Sequence, residues 1–409
     1  MNKALLLLLA LSCAPGLTAE IRAVIPANGP KPIGPYTPGV LAGDYLYVSG
    51  QGARPPAGEM SSDFDEQVRQ TLENVKAIVE AAGLTMDHVV YTQVYLEDIT
   101  RFAAMNRVYA TYFPENPPAR ATLGVAKTPG TPVEINAVAV RDLSKKTPVN
   151  VPGYNSKEPL SAGILTHDRL FVSGMRGQTF GGEIPADPAQ QVDLALDGMA
   201  AVLKAAGLDM RHMVFVNPYL TGKIPARVMN ERYAKRFEFG NTPARATISV
   251  AALPEGAQIE YTGVAARDLA QRRAVRPKNM APSPTASPCV FVADTFYCSA
   301  KSGFIPGPNS GIYAATVEHQ VRQTMRNLLD GLEEAGLDFS NTVAANVYLD
   351  NVTDDFQKMN GVYGQYFKEI PPTRTTVQQV APMADRGPGE NGRYPTLEQI
   401  SIVAVRTAP

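Results

Sequence analysis

Apolar positions follow two periodicities that recur along the chain. Around Gly43-Asp44, short runs of apolar residues flank a favourable two-residue turn, which predicts a β-hairpin over 39–48. Downstream, Val68, Leu72, Val75 and Val79 are spaced as on one face of a helix that Gly83 would end. The pattern then predicts a strand, a second helix and two strands, over 89–96, 102–113, 121–125 and 133–141.

The same order of elements occurs three times with a period of about 125 residues, the signature of internal repeats. Met-Asn pairs with a following Tyr mark the second helix of each repeat, at Met105-Asn106, Met229-Asn230 and Met359-Asn360. A Pro-x-Arg motif follows each pair, ending at Arg120, Arg245 and Arg374. Linkers at 144–156 and 270–288 are rich in Pro, Ser and Asn and lack periodicity. We therefore expect repeats at 20–145, 146–270 and 271–409.

Each repeat is predicted to be an α+β unit, a mixed sheet with two helices on one face. The uncovered sheet faces can be buried against one another, so we expect a pseudo-trimer closed within one chain, and a monomer in solution. Pro218 falls within a predicted strand of the second repeat and indicates an edge or a bulge there.

The first residues are typical of a signal peptide. Lys3, an apolar run over 4–11 and a small-residue exit ending at Ala19 predict removal of 1–19 and a soluble periplasmic or secreted protein. Cys13 leaves an alternative open, a lipoprotein anchored through that cysteine. No later stretch approaches about 18 uninterrupted apolar residues.

Composition narrows the function classes. The 38 Lys and Arg balance 39 Asp and Glu, for a formal net charge of −1, which disfavours a nucleic-acid partner. The four histidines are scattered without Cys/His clustering, so no metal site is predicted, and no phosphate-binding glycine loop occurs.

The motifs of the first repeat resemble those of the RidA (YjgF) family. They include Ile33-Gly34-Pro35-Tyr36, Val48-Ser49-Gly50-Gln51, Pro118-Ala119-Arg120 and Val133-Glu134-Ile135. The resemblance covers nearly all of the chain after the leader. It implies a chorismate-mutase-like fold, pockets at unit interfaces, no cofactor, and hydrolysis of reactive enamine/imine acids to 2-keto acids and ammonia.

The residue chemistry is compatible with that activity. The guanidinium of Arg120 can hold a substrate carboxylate with two hydrogen bonds, and Glu134 could activate a water aimed at the neighbouring C=N carbon. Arg245 and Glu260 are the corresponding catalytic candidates of the second repeat. The candidates for substrate binding are Tyr36, Ser49, Gly50, Asn106, Ser173, Gly174, Asn230 and Arg374.

The repeats differ at these positions. Leu160 and Ala286 stand where the first repeat has Tyr36, and the third repeat has Ala300 and Gln399 for the glycine and the glutamate. An inserted loop at 385–394 is expected to overhang the pocket of this degenerate third repeat. If pockets form between repeats, the sequence does not decide which arginine meets which tyrosine.

Two alternative functions stay open. One is a non-enzymatic binder or scavenger of small carboxylates that retains the arginines. The other is a ring-opening amidohydrolase resembling cyanuric acid hydrolase, which would use Ser-Lys dyads. Only Ser299 has a nearby lysine, Lys301.

Cys289 and Cys298 are predicted to form a disulfide. Placing Ala293-Asp294 at the hairpin turn of the third repeat puts the two cysteines opposite each other, in a non-hydrogen-bonded pair. The Cα atoms of such pairs approach to about 4.5 Å, within reach of a disulfide.

Overall fold

The computed structural model describes residues 20–278, 280–307 and 311–407. The predicted leader at 1–19, with Cys13, lies outside the described residues. Three sheets, each with two helices on one face, follow one another along the chain. The predicted α+β repeats are therefore present.

The first repeat has six strands, β1 (Ile21–Val24), β2 (Gly39–Ala42), β3 (Tyr45–Gly52), β4 (Val89–Leu96), β5 (Ala119–Gly124) and β6 (Val133–Val140). They form a sheet in the order β1-β2-β3-β6-β4-β5, antiparallel except for the parallel pair β4–β5. Its helices are α1 (Phe64–Ala81) and α2 (Phe102–Tyr112).

The second repeat has the same order with a divided edge strand. Its strands are β7 (Thr147–Pro148), β8 (Gly163–Leu165), β9 (Arg169–Arg176), β10 (Met213–Leu220), β11 (Ala244–Arg245), β12 (Ile248–Ser249) and β13 (Ile259–Ala266). Its helices are α3 (Pro188–Ala205) and α4 (Ala226–Ala234).

The third repeat returns to six strands. They are β14 (Arg272–Val275), β15 (Cys289–Val292), β16 (Thr295–Lys301), β17 (Thr342–Leu349), β18 (Thr373–Gln378) and β19 (Glu398–Val405). Its helices are α5 (Val317–Glu334) and α6 (Val352–Tyr363).

Local sequence explains where α1 begins and ends. The Asp63 side chain accepts a hydrogen bond from the Glu66 backbone N–H at 3.0 Å, which satisfies an amide of the first turn. Gly83 follows with φ of +79°, a conformation that stops the helix and that glycine adopts without strain. The apolar face in between packs on the sheet and is fully buried at Val68, Leu72 and Val75.

Pro218 lies on neither an edge strand nor a bulge, so that expectation is wrong. It is inside β10, which pairs with β13 on one side and with the edge pieces β11 and β12 on the other. The gap between these two pieces falls opposite Pro218, between the partners of Val216 and Tyr219. Because proline has no N–H to donate, the neighbouring strand is interrupted instead.

Cys289 pairs with Cys298 in the β15–β16 hairpin, in the register that the turn position predicts. The two residues form a disulfide with a Cα–Cα distance of 4.0 Å.

The three units close into a ring through one repeated contact. A serine hydroxyl accepts a hydrogen bond from the backbone N–H of the motif arginine of the preceding unit, at 2.8–2.9 Å. The pairs are Arg120 with Ser173, Arg245 with Ser299 and Arg374 with Ser49. The last pair joins the third repeat to the first, so the pseudo-threefold arrangement is complete within one chain; the monomeric state stays a prediction.

A buried polar network connects all three units. Arg169, 1% exposed, donates to Asp168 at 2.6 Å, to Thr295 at 2.9 Å and to Tyr297 at 3.1 Å. The Tyr45 hydroxyl also donates to Asp168. Burial alone would raise the pKa of Asp168, but Arg169 outweighs it and lowers the pKa to about 2.

Within the described part of the chain, no helix is long and apolar enough to cross a membrane.

Candidate active site

Each pocket forms where the strand pairing is irregular. The register of β3 against β6 shifts between Val48 and Gln51, and β16 shifts against β19 between Cys298 and Lys301. In β9–β13 the shift falls at the corresponding place. Such a bulge redirects side chains, and here it turns each interface serine toward the neighbouring unit.

Glycine after the serine leaves room for a carboxylate. A Cβ built on Gly50 would overlap Oε1 of Glu134, and one built on Gly174 would overlap Oε1 of Glu260. The glycine and the glutamate therefore depend on each other.

The first pocket combines residues of the first and third repeats. It is lined by Ile33, Tyr36, Gly50, Gln51, Arg54, Glu134, Phe356, Arg374 and Thr376, among others. Arg374 enters from β18, while Tyr36 and Glu134 belong to the first repeat. Ser49 holds the strand that carries the arginine, since its hydroxyl accepts from the Arg374 N–H and donates to the Thr37 carbonyl at 2.7 Å.

The guanidinium of Arg374 is buried among aromatic rings. Its Cζ lies 5.1 Å from the ring centroid of Tyr363 and 5.5 Å from that of Tyr36. In the described part of the chain, no carboxylate forms an ion pair with Arg374. Burial lowers the pKa of this residue, so an anionic ligand would offset its desolvation. The buried amide of Asn360, beside Gly34, also lacks a hydrogen-bond partner among the described residues.

Glu134 faces the same cavity. Its burial raises the pKa of the carboxyl to about 8, although Arg374 and the Thr376 backbone N–H both favour the charged form. A carboxyl that titrates near neutrality can exchange a proton during a reaction.

The second pocket already holds a carboxylate of the chain itself. Glu158 accepts a hydrogen bond from Nη2 of Arg120 at 3.1 Å and pairs with Nη1 of Arg176 at 2.8 Å. Arg176 also contacts Glu260 at 3.2 Å. The cavity that remains accessible at this interface is lined by Glu158, Gly174 and Arg176. Neither Arg120 nor Glu260 lines it. Glu158 therefore separates the arginine and the buried glutamate from incoming ligands.

Glu158 occupies the position that Gly34 has in the first pocket. In both units a proline follows this residue, and its backbone carbonyl accepts a turn hydrogen bond. The Gly34 carbonyl accepts from the Tyr36 N–H at 3.0 Å, and the Glu158 carbonyl accepts from the Leu160 N–H at 2.8 Å. A Cβ at Gly34 would lie 2.5 Å from Nη2 of Arg374. Because Gly34 has no side chain, the guanidinium of Arg374 in the first pocket is not covered as that of Arg120 is.

The third pocket brings Arg245 of the second repeat to Ser299, Ala300, Lys301 and Gln399 of the third. Asn230 accepts from Nη1 of Arg245 at 2.8 Å, as Asn106 accepts from Arg120 at 2.7 Å. Glu398, next to Gln399, does not replace the missing acid because it is buried on the helix side, where Thr324 donates to it.

Several sequence predictions need correction here. Arg120 and Glu134 lie in different pockets, as do Arg245 and Glu260, because each motif arginine crosses to the next unit. The loop 385–394 does not overhang the third pocket, as none of its residues lines that cavity. It is held at α6 instead, where Arg386 donates to Asp355 at 2.6 Å.

Glu158 and Arg176 were not predicted as site residues. The sequence does mark both, because each is a charged residue where the first repeat has a glycine: Glu158 replaces Gly34, and Arg176 replaces Gly52. The fold and the pockets together define a chain of three homologous α+β units, each of which presents a motif arginine to the next.

The family profile described as Endoribonuclease L-PSP matches residues 26–141, 153–267 and 279–386. The chain belongs to this family, which includes RidA (YjgF) and RutC proteins. The 2-iminobutanoate/2-iminopropanoate deaminase of Escherichia coli K12 is 44% identical over 119 residues, which cover 28% of this chain and 93% of that protein.

A RutC family protein of Pyrococcus horikoshii is 46% identical over 118 residues, 28% of this chain and 94% of that protein. Among solved structures, the YjgF gene product of E. coli is 41% identical and covers 30% of this chain and 99% of its own, with a TM-score of 0.29. Each of these relatives corresponds to a single repeat.

Proposed function

We propose that the protein hydrolyses small enamine/imine acids to 2-keto acids and ammonia, and that it does so in the first pocket. The observation that carries the proposal is the buried guanidinium of Arg374, which has no ion-pair partner among the described residues and faces the titratable carboxyl of Glu134. The second pocket is occupied by Glu158, and the third has an amide where the acid would be.

The geometry supports the following reaction. Arg374 holds the substrate carboxylate with its planar fork, which places the adjacent C=N carbon near Glu134. Glu134 takes a proton from water as the water oxygen bonds to that carbon, and it passes this proton to the nitrogen as the C=N π bond breaks. In the carbinolamine, Glu134 then takes the hydroxyl proton as the keto group forms and delivers it to the nitrogen, which leaves as ammonia, so the carboxylate is regenerated.

The test compares two isosteric variants. The imine is generated in situ by an amino acid oxidase, and keto-acid formation is followed. Glu134→Gln should lower the catalysed rate about 10²-fold or more, the usual contribution of a positioned acid–base group. Glu260→Gln, the matched change in the closed second pocket, should leave the rate nearly unchanged.

The outcomes separate the enzyme from a binder. If Glu134→Gln retains full activity, the proposed reaction is wrong. If the wild-type protein binds carboxylates but does not accelerate ammonia release, the binding function is supported instead.

The pH profile should report Glu134. Because the base form is the active one and burial raises its pKa to about 8, kcat/KM should increase with pH through neutrality and level off above about 8. Substrate protonation contributes equally to all variants, so the wild-type rate is divided by that of Glu134→Gln at each pH. A ratio that falls above pH 8 would show that the protonated carboxyl is the active form.

A further inference from the structure

The third pocket differs from the other two in its charges. Its cavity, of about 440 Å³, is within the size range of small-molecule sites. Arg245 and Lys301 line it, and no acidic side chain is among the described residues that do. The cavity is therefore cationic.

The loss of the acid has a steric reason in this repeat. At Gly50 and Gly174 an added Cβ would overlap the glutamate carboxylate, and the third repeat has Ala300 at that position. The alanine methyl thus takes the space that Glu134 uses in the first pocket. Gln399 replaces the glutamate, and its neutral amide cannot accept a proton from water at neutral pH.

Neither cation forms an ion pair with a carboxylate in the parts of the chain that are described. Asp330 on α5 favours the charged form of Lys301 electrostatically, but its carboxylate forms an ion pair with Arg326 at 2.8 Å. Burial lowers the pKa of both Arg245 and Lys301, so the protein loses hydration energy here without recovering it from an anion.

A lysine stands at this position only in the third pocket. Lys301 pairs with Ile400 of β19. In the first repeat the equivalent pair is Gln51 with Ile135, and in the second it is Met175 with Tyr261. The first and second pockets therefore have a neutral side chain where the third has an ammonium group. Arg245 resembles Arg120 in its orientation, since Asn230 and Ser299 hold it as Asn106 and Ser173 hold Arg120.

We propose that the third pocket is a binding site for small dicarboxylates, and that it binds them without hydrolysis. Arg245 takes one carboxylate with its fork, and Lys301 takes the second as a point charge. A monocarboxylate leaves one of the two cations unpaired and binds more weakly. The inference is independent of the deaminase activity, because the two pockets share no side chain.

The experiment measures binding by calorimetry with glutarate and butanoate as probes. Arg374→Gln serves as the background, since it removes the carboxylate clamp of the first pocket. In this background, one glutarate should bind per chain, at least tenfold more tightly than butanoate. Adding Lys301→Gln, which installs the residue of the first repeat, should weaken glutarate about tenfold and change butanoate little.

Two results would overturn the proposal. One is equal affinity for glutarate and butanoate in the Arg374→Gln background; the other is an equal effect of Lys301→Gln on both probes. Lys301→Gln in the otherwise wild-type protein should retain full imine hydrolysis. A failure of the deaminase assay would leave these binding results unaffected, so the two proposals fail separately.

Discussion

Gly34→Glu is expected to shut down the first pocket and lower imine hydrolysis at least about 100-fold. The new side chain would place a carboxylate beside Arg374, as Glu158 does beside Arg120. Because the carboxylate is tethered, its effective concentration is about millimolar or higher, and it competes with every substrate molecule. Two orders of magnitude correspond to about 2.7 kcal/mol, within the usual range for a charge-assisted contact.

Gly34→Ala is the control for crowding, since it adds the Cβ without a charge. It should retain most of the activity after Arg374 shifts to accommodate the methyl group. A loss in Gly34→Ala as large as in Gly34→Glu would show that backbone space, and not the internal carboxylate, is decisive.

The reciprocal variant, Glu158→Gly, tests the same idea in the second pocket. It should free Arg120 and let one additional small carboxylate bind per chain, detected as increased stoichiometry in calorimetry. Leu160 still replaces the tyrosine there, so binding without much hydrolysis is the expected result. Unchanged stoichiometry would mean that Arg176 closes the pocket without Glu158.

Arg169→Met should destabilise the folded protein by about 3–5 kcal/mol, the typical cost of leaving one member of a buried ion pair alone. The substitution strands Asp168, which is 8% exposed, and removes the donors to Thr295 and Tyr297. The second and third units are then joined by fewer hydrogen bonds. Denaturant unfolding at neutral pH gives the measurement, and catalysis per folded molecule should be unchanged.

The effect should depend on pH in a defined direction. In the folded protein the pKa of Asp168 is about 2, below that of an unfolded aspartate. The stabilisation that ionised Asp168 adds to the free energy of unfolding is therefore present above about pH 4 and is lost as the pH falls toward 2. The destabilisation by Arg169→Met should therefore shrink at low pH.

The matched control is Arg227→Met, which breaks an exposed i,i+4 pair with Glu231 and should change stability by less than about 1 kcal/mol. Equal losses in the two variants would contradict the assignment.

The sequence by itself determined the repeats and their fold. Local patterns were sufficient for the amphipathic helices, the stop at Gly83 and the hairpin that pairs Cys289 with Cys298, because these depend on contacts between residues close in the chain. Recurrence of the Asn, Arg and Ser positions identified most residues of the pockets, and comparison of the repeats showed that the third lacks the acid.

Only the tertiary structure decided which residues meet. Each arginine crosses to the next unit, so Arg374 faces Glu134 across more than two hundred residues of chain, a pairing that no local spacing encodes. The role of Glu158 likewise follows from its distance to Arg120, and that of Arg169 from its contacts with residues of the other two units. Side chains acquire these roles through burial and charge in the assembled ring, where an unpaired cation is costly and any nearby carboxylate is bound.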